Sequence, residues 1–520
     1  MYKELTLFDG GINNLIAQHL ISENQSPFIQ NAKINSGVIM SQREKVETSR
    51  VVNGKYGFYY RAKDQVITSD EDRFFVEWGG FLYWSNSAGT LKRYDGTTIN
   101  NIGSHTAPLI APSALAGANG LLNGDYFYTI TYVHDGFFES PPSGFTQITV
   151  ANKAVNLTIS GTPPTSATSL KIYRSGGINP SFNLLVELPI ATASYVDNIS
   201  DFSISREELA TYSNYTPPAN LDMLIENGGV FFGAVGNKVY FSNQGQPEYW
   251  NPYHYVQLPS TVTGLGAKGG SVIIFTNSSM YQLSGTSLSD ISLIQLPFSF
   301  GCKHKRTVQN VYGSLVWVAE MDENDVICVY DGGSVTIANM YATSFNQGTV
   351  ESMAYDDTNA TYDDYFFDIK NSLSAFNKYY LFTTNRTVIV DFVNGAKVYY
   401  SYDNIDSAYA IGNNVFVIEN LKEYNYTSQS FGKYRNFAFT TKDLIDGMVT
   451  QSKSYRMVKI SCVGTVELTI KVDDRTIMTT TDTKIFLPSG ITGYKISFYL
   501  KSVGHAIVNA IMYEYELLKE

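Results

Sequence analysis

Cysteine is scarce: Cys302, Cys328 and Cys462 are the only three in 520 residues, far apart and without a CxxC spacing. That excludes a paired-cysteine framework and makes a thiolate-held metal a poor fit, so a reducing compartment is the expectation. Charge is scarce too. Asp, Glu, Lys and Arg make up 16% of the chain, where about a quarter is usual for soluble proteins. The net charge of −11 argues against gripping DNA through its phosphates, which takes a basic face. It leaves room for a duplex to pass along an acidic wall without being held. Long apolar runs are missing: none approaches the ~18 residues of a membrane span. The opening MYKELTLFDGG has no basic stretch followed by an apolar core, so no secretion signal is expected. Assembly in a cytoplasm follows as the expectation.

Catalytic signatures are missing as well. There is no GxSxG, no P-loop and no strand-coupled GxGxxG. The six histidines, His19, His105, His134, His254, His304 and His505, form no HExxH or similar metal spacing. The expectation is therefore no catalytic residue, no metal and no cofactor.

What the chain has in abundance is Tyr (38), Phe (30) and glycine-headed hairpins. GGFLYWSNSAGTLKRYDG, from Gly79, is an apolar strand, a polar turn and an aromatic strand ending in a turn. The phrase returns at Asn227, Lys268, Tyr312, Asn377 and Gly412. Gly229 to Gly270 is 41 residues and Gly270 to Gly313 is 43; the next interval, to Lys378, is 65. A period near 40–50 residues with strands throughout predicts propeller blades, small sheets that bury one another's faces. Five phrases after Asn220 and one before Pro108 suggest six or seven blades, with the hairpins as the inner parts of each. A pair of β-sandwiches with look-alike hairpins is the alternative.

The fold class read from this is all-β: a propeller interrupted by an inserted fibronectin type III-like sandwich and followed by a β-sandwich-like module. Residues 1–53 are expected to form an N-terminal assembly segment, with a short helix predicted over Ser22–Ala32 from a capping box of Ser22 and Gln25, Ser26 with Pro27 being a competing start. Residues 54–107 supply the first blade or blades. The insert occupies 108–203, where Tyr126, Tyr128, Ile130 and Tyr132 share one parity; His134 reads as a loop residue. Residues 204–433 hold the remaining blades and 434–520 the terminal module. SNQGQPEYW, from Ser242, is similar to a sialidase-propeller turn motif but lacks its Asp. The basic knot Lys303–Arg306 reads as a solvated turn, with contact to a phosphate or an acidic partner as the alternative.

Two acidic clusters stand out: Glu320, Asp322, Glu323 and Asp325; and Asp356, Asp357, Asp363, Asp364 and Asp368. Paired carboxylates can hydrolyse glycosides and oxygen clusters can hold Ca²⁺, but neither fits EF-hand or nonapeptide spacing. They read as solvated loops.

Taken in order, FDGGIN with NAKINSGVIMSQRE, GDYFYTITYV through LKIYRSGG and YVDN, GGVFFGAVGNKVYFSNQGQPEYWNP with VTGL and VIIFTNSSMYQLSG, and the closing TKIFLPSGITGYKISFYL resemble the tail nozzle proteins of short-tailed bacteriophages, also called tail tubular protein B or tail hub proteins. The resemblance spans most of the chain and is weakest over Met340–Ser430. It implies a structural virion part: a ring of six copies below the portal and head–tail adaptor, carrying tail fibres and surrounding a DNA channel closed until ejection. Its partners would be further copies of itself, the adaptor, the fibres and passing phage DNA. It makes the two acidic clusters candidates for channel-lining residues, and Phe8, Ile12, Phe28 and Ile29 candidate assembly contacts. A carbohydrate-active propeller, a depolymerase or lyase, is the competing function.

Overall fold

A computed structural model describes the whole chain except residues 9–19, 21, 24, 36–37, 43, 72, 86–88, 103–105, 286–289, 322–323, 339–368, 385, 394–396, 402, 428–433 and 519–520. The chain is nearly all β, with no α-helix among the described residues.

Each glycine-headed phrase becomes two strands of a small antiparallel unit. Unit 1 has Tyr56–Tyr60 and Gln65–Ser69. Unit 2 has Phe74–Trp78, Phe81–Ser85, Leu91–Tyr94 and Ile99–Ile102. Unit 3 runs from Asp222 to Gln257, unit 4 from Gly264 to Gln295 and unit 5 from Gln309 to Ile337, each with four strands. Unit 6 has the four strands from Ile369 to Ser401. Unit 7 has Ser407–Ile411, Asn414–Glu419 and Lys422–Asn425, and takes its fourth strand, Val46–Val51, from the N-terminal segment. The phrases are the second and third strands of units 2 to 7, so they lie mid-unit and not innermost. The reason is the turn before them. Trp78 pairs with Phe81 and Lys268 with Ser271, leaving two-residue loops. Both loop residues have positive φ, 59° and 80° at Gly79–Gly80 and 58° and 78° at Gly269–Gly270. That is the type I′ geometry matching strand twist, and glycine adopts it without steric cost.

Strands buried on both faces explain the unbroken apolar runs. In Ser271–Phe275 of unit 4, Val272 and Ile274 join a core with Phe232 and Phe241 of unit 3. Ile273 and Phe275 point the other way, into a core with Leu315 and Trp317 of unit 5. Each such side chain contributes roughly 1.5–3 kcal/mol by burial. Further cores lie between units 1 and 2, 2 and 3, 5 and 6, 6 and 7 and 7 and 1. The arrangement is propeller-like, and packing holds the sheets together.

The insert is six strands from Ser113 to Asp197, hydrogen-bonded as one sheet. Its long first strand, Ser113–His134, pairs with Thr146–Thr158 along its first part and with Ala167–Gly176 along its second, with register breaks between Ala116 and Asn123. A single apolar core gathers Tyr126, Tyr128 and Ile130 with Val155, Leu157, Leu170 and Ile172.

The terminal module is dominated by Lys453–Val472 paired with Ile496–Leu517 along almost its full length. The N-terminal segment is woven into it. Tyr2–Leu5 and Val38–Ser41 pair with Ile496–Leu517, and Phe28–Gln30 bridges Ala438–Thr440 and the last strand of unit 6. The predicted helix over Ser22–Ala32 is therefore corrected: Phe28–Gln30 and the start of Ala32–Asn35 are strands. The capping-box residues do meet, the Ser22 amide donating to Gln25 Oε1 at 3.1 Å and the Gln25 amide to the Ser22 carbonyl at 3.0 Å. They close one turn only, because sheet partners satisfy the backbone that follows.

Candidate functional site

Of the acidic candidates, Asp322, Glu323, Asp356, Asp357, Asp363, Asp364 and Asp368 lie outside the described residues. Glu320 and Asp325 face each other across the hairpin of unit 5. Glu320 is exposed, but Asp325 is 4% exposed at its side chain and accepts from Lys303 Nζ at 2.6 Å. Asp325 is thus corrected as a channel-lining acid: its charge is buried and paired within the chain. Burial works against the charge on Lys303, but Asp325 and Glu320 outweigh it and raise the ammonium above its ordinary pKa.

The basic knot is corrected in the same way. Lys305–Thr307 is a single 3-10 turn whose Thr307 is buried. Lys305 Nζ reaches both carboxylate oxygens of Asp222 in unit 3, at 3.0 and 2.8 Å. Arg306 lies 3.8 Å from the centre of the Phe74 ring of unit 2 and 6.0 Å from that of Tyr56 of unit 1. It donates to the Arg73 carbonyl at 2.6 Å. The Arg306 carbonyl accepts from Ser372 Oγ of unit 6, and the Thr307 carbonyl from Tyr379 Oη of the same unit at 2.8 Å. The acidic partner raised as the alternative reading is the chain itself. Sequence reading missed this because KHKR looks like surface composition.

Among the candidate assembly contacts, Phe8 and Ile29 are buried in the chain's own largest core, Phe8 edge-on to Phe439 at 5.4 Å. They are corrected as surfaces for another copy. Ile12 lies outside the described residues; the Phe28 backbone forms its strand.

Two further networks escaped sequence reading. At the insert's junction, Arg93 stacks near Phe81, Phe137 and Phe138 and pairs with Glu248 at 3.1 Å; Glu248 also accepts from Tyr83 Oη at 2.6 Å. Tyr249 Oη accepts from the Glu139 amide at 3.1 Å, so the insert is bonded to unit 3. Inside the insert, Arg174 and Asp197 form a fully buried pair at 2.8 Å. His134 is likewise no loop residue. It ends a strand, is buried, and lies 2.9 Å from Ser166 Oγ; burial lowers its pKa.

No family model and no curated protein matches this chain. Among solved structures, the computationally designed Ika8 protein aligns at 9% identity over 81% of this chain and 99% of that one, with a TM-score of 0.30. The extracellular domain of a putative hybrid two-component system from B. thetaiotaomicron aligns at 10% identity over 85% and 48%, with a TM-score of 0.30. PorZ, a surface component of the type-IX secretion system of Porphyromonas gingivalis, aligns at 10% identity over 83% and 75%, with a TM-score of 0.26. Likeness at this level carries no argument about function.

Proposed function

We propose that the chain is a structural component of a short-tailed phage tail, a nozzle subunit that works in a ring of copies below portal and adaptor. The observation that carries this reading is the meeting of its ends. The phrases resembling the nozzle family at the start, NAKINSGVIMSQRE, and at the close, TKIFLPSGITGYKISFYL, fold into one fourteen-stranded sheet with unit 6. Phrases so distant in sequence belong to one structural element, which supports reading them together. The pairing of Asp222 with Lys305 supports a structural role as well. A sugar-cleaving propeller would present unpaired carboxylates where its units converge, and there Asp222 is bound by Lys305. A ring of identical copies joins unlike faces of neighbours; the weakly charged, Tyr-rich composition suits such contacts. The test is negative-stain imaging of the purified chain with and without portal and adaptor from the same phage. Six-fold rings on the adaptor are expected. A chain that stays monomeric with both present, and releases sugar from capsular polysaccharide with turnover, would overturn the proposal.

A further inference from the structure

We propose that the loop Lys303–Thr307 is a clamp at the hub of the seven units, with Arg306 as the residue that fixes units 1 and 2 in the circuit. Three observations carry it. The first strands of consecutive units touch one another, from unit 2 through unit 7 and on to unit 1, so these strands are the innermost. One loop reaches residues on or beside the first strands of four units: Tyr56 in unit 1, Arg73 and Phe74 in unit 2, Asp222 in unit 3 and Ser372 in unit 6. A loop making those contacts lies where the strands converge. Finally, unit 1 is the weak member. It has two strands where the others have four, and an isolated two-stranded hairpin is marginal in water.

The chemistry suits Arg306 to the task. A guanidinium can sit over an aromatic ring and still donate hydrogen bonds; Arg306 lies 3.8 Å from the centre of the Phe74 ring and donates to the Arg73 carbonyl. Lysine would keep the charge and lose the stacking. Unit 1 has other ties, Phe58 stacked on Phe75 at 5.0 Å and Ser407 Oγ accepting from the Gly57 amide at 3.0 Å, so losing the clamp should loosen the hub without unfolding the chain.

The test is hydrogen–deuterium exchange on the full-length chain, comparing Arg306→Ala, Arg306→Lys and Ser372→Ala with the parent. Arg306→Ala should raise exchange at least tenfold in Tyr56–Tyr60 and Phe74–Trp78 and leave the insert, Ser113–Asp197, unchanged. Arg306→Lys should be intermediate, and Ser372→Ala should act on Ile369–Ala375 first. Unchanged exchange in units 1 and 2 with Arg306→Ala would overturn the clamp, as would an equal rise in the insert. Should Arg306→Ala fail to fold, the Lys variant decides: parental exchange in units 1 and 2 overturns the clamp, and a local rise there supports it.

Discussion

Removing the cation from the buried pair in the insert should destabilise it far more than removing both charges. The Arg174 side chain is 1% exposed and the Asp197 side chain 0%. One guanidinium nitrogen of Arg174 donates to Asp197 at 2.8 Å and to the Ile199 carbonyl at 2.7 Å, and the other reaches Asp201 at 3.1 Å. Asp197 also accepts from Tyr128 Oη at 2.7 Å and the Ile199 amide at 3.0 Å. Arg174→Met leaves a carboxylate in the core with two donors and no cation, and breaking a buried pair in this way costs about 3–5 kcal/mol. The two remaining hydrogen bonds place this case near the lower end. Arg174→Met with Asp197→Leu removes the stranded charge. What remains is the lost acceptor of Tyr128 Oη and of the Ile199 amide, about 1–2 kcal/mol together. The double variant should therefore be more stable than the single by roughly 1–2 kcal/mol, a coupling typical of residues in one network. Native-state hydrogen exchange at Ile130 and Ile172, both fully buried in the insert core, reads this locally. The single variant should exchange there ~100-fold faster than the parent, by the factor of ten per 1.4 kcal/mol, and the double should recover about tenfold. A single variant costing under ~1 kcal/mol, or a double no better than the single, would refute the reasoning.

Other substitutions separate roles that sequence alone merged. Asp325→Lys should destabilise unit 5, since it sets a second cation against Lys303 in a buried position; Glu320→Lys, at an exposed site, should leave the melting curve within ~0.5 kcal/mol of the parent. Equal effects in thermal melts would contradict the burial of Asp325. Burial pushes the Cys302 thiol up to about 11 and the Cys328 thiol to about 12, so neither should react with a thiol reagent at pH 8 until the chain unfolds. Mass spectrometry should find label in the folded protein at no site but the half-buried Cys462, and fast labelling of Cys302 would speak against the packing of units 4 and 5. His134 binds a proton less readily when folded, because burial lowers its pKa. Its contribution is whole above the ordinary value of 6.5 and is lost as pH falls below it. His134→Gln should flatten that acid limb in urea melts at pH 5 to 7, and an unchanged limb would count against it.

Much of the fold was legible because it is local. The type I′ turns at Gly79–Gly80 and Gly269–Gly270 write themselves as glycine pairs, and the two-sided burial of Ser271–Phe275 as an unbroken apolar run. The strand Val46–Val51 was not, because its partner Lys422–Asn425 lies far along the chain and nothing in its composition announces it. The helix over Ser22–Ala32 failed for the same reason: Ser22 and Gln25 satisfy a helix start, and only distant partners at Thr440 and Tyr400 make Phe28–Gln30 a strand. Some of the buried chemistry had left a sign. Arg174 falls on the same parity as Leu170 and Ile172, and Asp197 on that of Tyr195; two opposite charges on inward positions of one module signal a buried pair. Arg306 carried no such sign, because its partners come from three separate units and a short basic run in a turn has the composition of a surface.

The most direct test of the functional reading is image averaging of this chain mixed with the portal and adaptor proposed as its partners. A six-fold ring with the woven N- and C-terminal sheet in each copy is the expected picture. A lone subunit that never joins that assembly, and that degrades polysaccharide instead, would contradict it.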